Sequence, residues 1–157
     1  MSIEDFQKAA RTKDIELALS TLTDDVVLRS PLTDRFTFNG KEDVRRLFEA
    51  AYEKFDGLDY HTAIGGRVLV GGATAGGQPF EETLVLKLNG DNKIREITLF
   101  IRPLPGLTAV MAALGPTLAR KNGRRTAGLL RVLAAPLVAA TRFGDRSGLK
   151  LALPKVT

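Results

Sequence analysis

Residues 80–104 read FEETLVLKLNGDNKIREITLFIRPL. Leu84, Leu86 and Leu88 alternate with polar or smaller residues, Asn89-Gly90-Asp91-Asn92 supplies turn chemistry, and Ile97, Leu99 and Ile101 then alternate in the same way. The pattern predicts a long antiparallel hairpin with one strongly apolar face. That face sets the architecture of the chain before it.

A chain of 157 residues, 44% apolar and 26% charged, has the length and composition of one globular domain with a sizeable core. Without cysteine there is neither a disulfide nor a thiolate nucleophile. The opening residues, MSIEDFQKAAR, carry acids early and lack an apolar stretch followed by small residues, so they do not read as a secretory signal. A cytoplasmic location is expected. Charge is distributed unevenly. Residues 1–103 hold 14 Lys and Arg against 17 Asp and Glu, whereas residues 104–157 hold 9 against 1. The excess of cations belongs to the last third, and the first hundred residues have none of the dispersed basic surface that binding to nucleic acid requires.

Upstream of the hairpin, residues 3–22 are predicted as two short helices, with Asp14 as a cap between them. Val26-Val27-Leu28 forms a strand stopped by Ser30-Pro31, since proline donates no ladder hydrogen bond, and residues 31–39 follow as a loop. From Gly40, Val44, Leu47, Phe48, Ala51, Tyr52 and Phe55 recur at helical spacing, and Gly57 is expected to end that helix. Residues 58–64 and 67–70 are strand, with Gly65-Gly66 as a bend inside it. Residues 71–77 are a loose glycine connector, lacking the Gly-Lys-Ser/Thr end of a phosphate loop.

Helix, helix, strand, helix and a meander of three long bent strands resemble the nuclear transport factor 2-like superfamily and, within it, the SnoaL-like group. Asp24-Asp25-Val26-Val27 with Ser30-Pro31, Asn39-Gly40-Lys41-Glu42, and Asp91-Asn92-Lys93-Ile94 carry the resemblance, which runs over residues 3–103. It implies an α+β fold in which a curved antiparallel sheet wraps around the N-terminal helices as a cone. Residues 1–103 form that domain, 104–143 a helical extension packing on it, and 144–157 an irregular tail.

The resemblance also implies a chamber between sheet and helices. By hairpin parity its lining is Glu82, Leu84, Leu86, Leu88, Ile97, Leu99 and Ile101, which suits a small apolar ligand. Ketosteroid isomerases of this fold need a carboxylate base before the proline that closes the first strand and a neutral acid on the penultimate strand. Those places fall at Ser30 and Leu84, which can do neither job. The Asp-Arg-Asp set of the related epoxide hydrolases has no counterpart in the hairpin strands. The polyketide cyclases of the SnoaL-like group need one acid, and Glu82 supplies it. A carboxyl among leucines has a raised pKa and serves as a general acid or base. The alternative leaves Glu82 at a strand end, facing water.

Tyr60 and His61 point to opposite faces, and Tyr60 is the one expected in the chamber, orienting a ligand through its hydroxyl. His61 lacks the further histidines or cysteines that zinc demands, so neither metal nor cofactor is expected. Arg102 is out of phase with the chamber face and is expected to pair with an acid on the outer sheet surface. There Thr83, Val85, Thr98 and Phe100 would suit the homodimer interface that the resemblance implies.

Past Pro103 two amphipathic helices are expected, the first interrupted near Gly115-Pro116 and the second carrying Pro136, with a basic knot of Arg120, Lys121, Arg124 and Arg125 between them. Residues 127–140 include Arg131 and fall short of the ~20 apolar residues a bilayer span needs. This segment covers the core as a lid or, as the alternative, docks on an anionic membrane or a partner. The reading is thus a SnoaL-like protein holding a small apolar ligand, with cofactor-independent isomerase, cyclase or hydrolase chemistry as one alternative and peripheral docking as another. Enzyme and binding module are both compatible with these residues.

Overall fold

The computed structural model describes residues 3–120 and 123–152. Helices α1 (Ile3–Thr12) and α2 (Ile15–Ser20) open the chain, and Asp14 caps α2 by accepting from the Leu17 N–H at 2.9 Å. Strand β1 (Leu22–Arg29) runs to the Ser30-Pro31 stop. A short strand, β2 (Thr37–Asn39), emerges from what was expected to be loop, because Val27, Leu28 and Arg29 offer it an antiparallel partner. Helix α3 (Gly40–Lys54) then leads directly into β3 (Phe55–Ile64), followed by β4 (Val68–Ala75), β5 (Gln78–Leu88) and β6 (Ile94–Arg102). The six strands lie in the order β2-β1-β6-β5-β4-β3, with only the β1–β6 pair parallel.

The glycines were the least legible feature. Gly57 does not end α3, which stops at Lys54 when Phe55 turns extended. It lies inside β3 at φ +67°, where the pairing with β4 shifts register between Asp56 and Asp59. Gly65-Gly66 is not a bend within a strand but the two-residue turn between β3 and β4. Both residues have positive φ, the geometry that matches the twist of a tight hairpin, and the Arg67 N–H closes on the Ile64 carbonyl at 3.1 Å. Gly76-Gly77 repeats the device between β4 and β5, so residues 71–75 of the expected connector are strand. The meander therefore has four strands. The Asn89 turn is as expected, its Oδ1 accepting from the Asp91 and Lys93 N–H groups.

Register fixes the inner face. Leu84 pairs with Leu99, Leu86 with Ile97 and Glu82 with Ile101, while Val85–Thr98 and Thr83–Phe100 alternate on the outside, where Val85 and Phe100 are exposed. Arg102 meets Glu81 at 3.0 Å on that outer surface. Helices α1 and α3 pack into the concave side, against β3 and β1.

Helix α4 (Leu104–Ala119) continues unbroken through Gly115-Pro116 and crosses back over β4, β5 and β6 beside α3. The crossing is close: a Cβ on Gly106 would stand 2.6 Å from the Phe80 Cβ, so only glycine lets α4 approach here. Helix α5 (Arg124–Ala152) packs mainly on α4 and runs through residues 144–152, which were expected to be irregular. Lys121 of the basic knot, and residues 153–157 of the expected tail, lie outside the described residues.

Candidate functional site

Between sheet and helices lies a cavity of about 190 Å³. Its sheet wall is Tyr60 from β3, Glu82 and Leu84 from β5, and Ile97, Leu99 and Ile101 from β6. Phe6, Phe48 and Tyr52 project from α1 and α3 to form an aromatic wall, with the Phe6 ring 6.0 Å from Tyr60 and 5.9 Å from Phe48. Helix α4 closes a third side with Val110, Met111, Leu114 and Leu118, and residues 30–38 stand at the mouth.

Two members of the expected lining do not reach the cavity. Leu86 is buried on the same face but sits deeper, and Leu88 is half-buried beside the turn. The parallel β1–β6 register sets Leu22 opposite Ile94 at that end of the cone, and these two fully buried aliphatics fill the space. Parity gave the correct face, but it does not say where along a strand a hollow stops.

Glu82 is only 4% exposed, so it does not face water at the rim. Tyr60, 6% exposed, donates its hydroxyl to Glu82 Oε1 at 2.5 Å. Among the described residues no donor reaches Oε2. Burial pushes the Glu82 carboxyl up to about 7, and the Tyr60 hydrogen bond offsets part of that rise. The Tyr60 phenol is pushed well above its ordinary range, first by burial and then by the adjacent Glu82 charge. Tyr52 is raised too, by burial and secondarily by Asp14 and Glu82, so both tyrosines remain neutral donors.

The contact depends on a residue whose role the sequence did not disclose. Tyr60 and Glu82 lie on strands separated by β4, and Gly71 is the β4 residue paired with Glu82. A Cβ on Gly71 would stand 2.2 Å from the Asp59 carbonyl oxygen and 2.8 Å from Tyr60 Cδ1. Glycine therefore opens a gap in the middle strand through which the Tyr60 ring passes to the acid. A glycine at an inward position of a strand is the signal for such close approach by another group, but it can be read only once Gly71 is known to be strand and not connector. The anchoring of β3 is reinforced by Gln7, whose Nε2 donates to the Tyr60 carbonyl at 2.6 Å.

His61 points outward and is exposed, with Nδ1 2.9 Å from Thr62 Oγ1. Ser30 lines the cavity mouth, where its Oγ accepts from the Leu32 N–H. No group of three or more metal-ligating side chains is assembled among the described residues. Chemically, the arrangement is one carboxyl titrating near neutrality inside an apolar hollow, held by one phenol and flanked by another.

Residues 3–97 match the SnoaL-like domain family. Comparison with curated proteins finds no match. Among solved structures, the chain is similar to a steroid delta-isomerase from Pseudomonas aeruginosa, at 22% identity and a TM-score of 0.66, covering 76% of this chain and 90% of that one. It is similar to a bacterial protein of cystatin-like fold from Silicibacter pomeroyi DSS-3, at 21% identity and TM-score 0.66, covering 72% and 82%. A third is a protein of ketosteroid isomerase-like fold from Catenulispora acidiphila DSM 44928, in complex with trimethylamine, at 13% identity and TM-score 0.52, covering 72% and 91%. At these identities the likeness is one of fold.

Proposed function

The chain belongs to the SnoaL-like domain family, and from that premise we propose that it binds a small apolar molecule bearing a carbonyl or phenol oxygen and moves a proton on it without a cofactor. The observation that carries this reading is the buried Glu82 carboxyl, with Oε1 held by Tyr60 inside a cavity otherwise lined almost wholly by apolar side chains. A carboxyl that titrates at about 7 can accept a proton from a carbon beside a carbonyl and return it elsewhere on the same molecule, since neither of its protonation states dominates near neutrality. Tyr60 keeps the carboxylate oriented. Tyr52, a neutral phenol on the cavity wall, would be the donor to oxygen on which negative charge develops. An engineered cavity of roughly 150 Å³ accepts benzene, so about 190 Å³ suits a substrate of one substituted ring.

The test is solvent deuterium exchange at the α-carbons of a panel of small cyclic ketones, followed by NMR, with binding measured in parallel. The wild-type protein should accelerate exchange of at least one bound ketone, with a rate that rises with pH up to about 7 and then levels as Glu82 becomes fully ionised. Glu82→Gln should keep binding within a fewfold and lose about a hundredfold or more of the exchange rate. Ketones that bind equally to both proteins and exchange at the solution rate in each would mark a binding module and overturn the catalytic reading.

A further inference from the structure

We propose that α5 is a membrane-surface helix, which lies in the plane of an anionic bilayer with its outward face inserted at the headgroup boundary. Its inward side is occupied: Ala134 is buried against the domain, and Thr141 Oγ1 lies 2.8 Å from Thr108 Oγ1 on α4. The outward side is apolar and exposed. Leu129, Val132, Leu133, Leu137 and Phe143 all face solvent, with Val132 70% and Phe143 72% exposed. At about 100° per residue, Arg131 and Arg146 fall within roughly 60° of each other along one flank of that face, whereas Arg142 turns back to the domain, its Nη2 donating to the Gly76 carbonyl at 3.4 Å. Leu129, Val132, Leu133 and Phe143 are grouped beside them. Among the described residues neither Arg131 nor Arg146 forms an ion pair with an acid.

Charge selects the occupant. Residues 104–157 carry 9 Lys and Arg against Asp145 alone, so the surface that covers this face must supply anions beside apolar matter. An anionic bilayer does both, since lipid phosphates meet the arginines while the side chains of the apolar face enter the acyl boundary. A second copy of the chain would instead bring two arginine flanks together. By length and composition residues 125–148 could cross a membrane, but Arg131 and Arg142 leave only ten uncharged residues between them. That stretch is about 15 Å of helix, half the ~30 Å hydrocarbon core, and one side of it is engaged by α4. The helix therefore lies on the surface.

The full chain should float with phosphatidylcholine vesicles containing phosphatidylglycerol at least about tenfold more strongly than with phosphatidylcholine alone, and more at low than at physiological salt. The chain has no tryptophan, so Phe143→Trp installs a sole indole reporter whose emission should shift to the blue on adding the anionic vesicles. Val132→Asp combined with Phe143→Asp should abolish flotation. Arg131→Glu combined with Arg146→Glu keeps the apolar face and should lower partition by roughly tenfold or more while erasing the salt dependence. Three results would overturn the proposal: no flotation with phosphatidylglycerol vesicles at low salt, flotation of the Phe143→Trp variant without a change in its indole emission, or a blue shift that grows with protein concentration in the absence of lipid, which would assign the face to a second copy.

Discussion

Glu82 couples the cavity to the stability of the whole protein. Folding carries its carboxyl from an ordinary value of 4.5 to about 7, because burial opposes the charge more than the Tyr60 hydroxyl supports it. Below about pH 4.5 the folded and unfolded chains are both protonated at this position, and the contribution to stability is full. Between there and about pH 7 the unfolded chain releases the proton while the folded one retains it, so stability falls as pH rises and then levels. At 1.36 kcal/mol per unit, the loss is roughly 3 kcal/mol. The exposed carboxylates Glu16 and Asp24 and the half-buried Glu96 are lowered by Arg45, by Lys41, and by Lys87 with Arg29 respectively; they act in the opposite sense and at more acid pH, outside this window. Urea unfolding of the wild-type protein should show this decline between about pH 5 and pH 8. Glu82→Gln should remove it and exceed the wild type at the alkaline end, with its amide oxygen still accepting from Tyr60. Parallel slopes in the two proteins would mean that Glu82 ionises normally in the folded state.

Among the strands, β4 decides whether a site exists at all. At position 71 only glycine fits between Asp59, Tyr60 and the acid, so Gly71→Ala should force β3 and β4 apart and cost about 3 kcal/mol, the upper end of overpacking. The loss should appear both in urea unfolding and in the infrared carbonyl band of Glu82, which reports its hydrogen bond to Tyr60; a variant as stable as the wild type, with an unchanged band, would remove the threading role given to Gly71. That role was hidden in the sequence for a definite reason. Glycine pairs in strands, in bulges and in two-residue turns are the same letters, and only the partner strand distinguishes them. Gly65-Gly66 and Gly76-Gly77 reverse the chain, whereas Gly71-Gly72 lies mid-strand. The β5–β6 hairpin was legible because alternation and turn chemistry are both local, as is the choice of Tyr60 over His61. The burial of Glu82 was not. It is set by how far β3, β4 and α4 extend beside residue 82, and those contacts lie far apart in sequence.

At the scale of the molecule, the cavity extends beyond the segment that carries the family likeness. Residues 3–97 match the family, yet one wall of the hollow comes from Val110, Met111, Leu114 and Leu118 on α4. This helix also buries Ala109 and Val110 and fits against Phe80 through Gly106. In contrast, α5 contributes Ala134 as its one buried apolar residue among those described, and leaves most of its large side chains in solvent. The two helices should therefore separate in their effect on folding. A chain ended after Arg120 should lose about 1–2 kcal/mol, the worth of a few small contacts, and keep the cavity. A chain ended after Pro103 should lose several kcal/mol, since each large apolar side chain uncovered costs roughly 1.5–3 kcal/mol. It also opens Phe80 and Glu82 to water, relieving the burial that raises the carboxyl. Urea midpoints for the two truncations, with binding of a hydrophobic dye as a reporter of opened core, measure the difference. Equal midpoints would place α4 outside the folding unit and leave the cavity wall to residues 3–103.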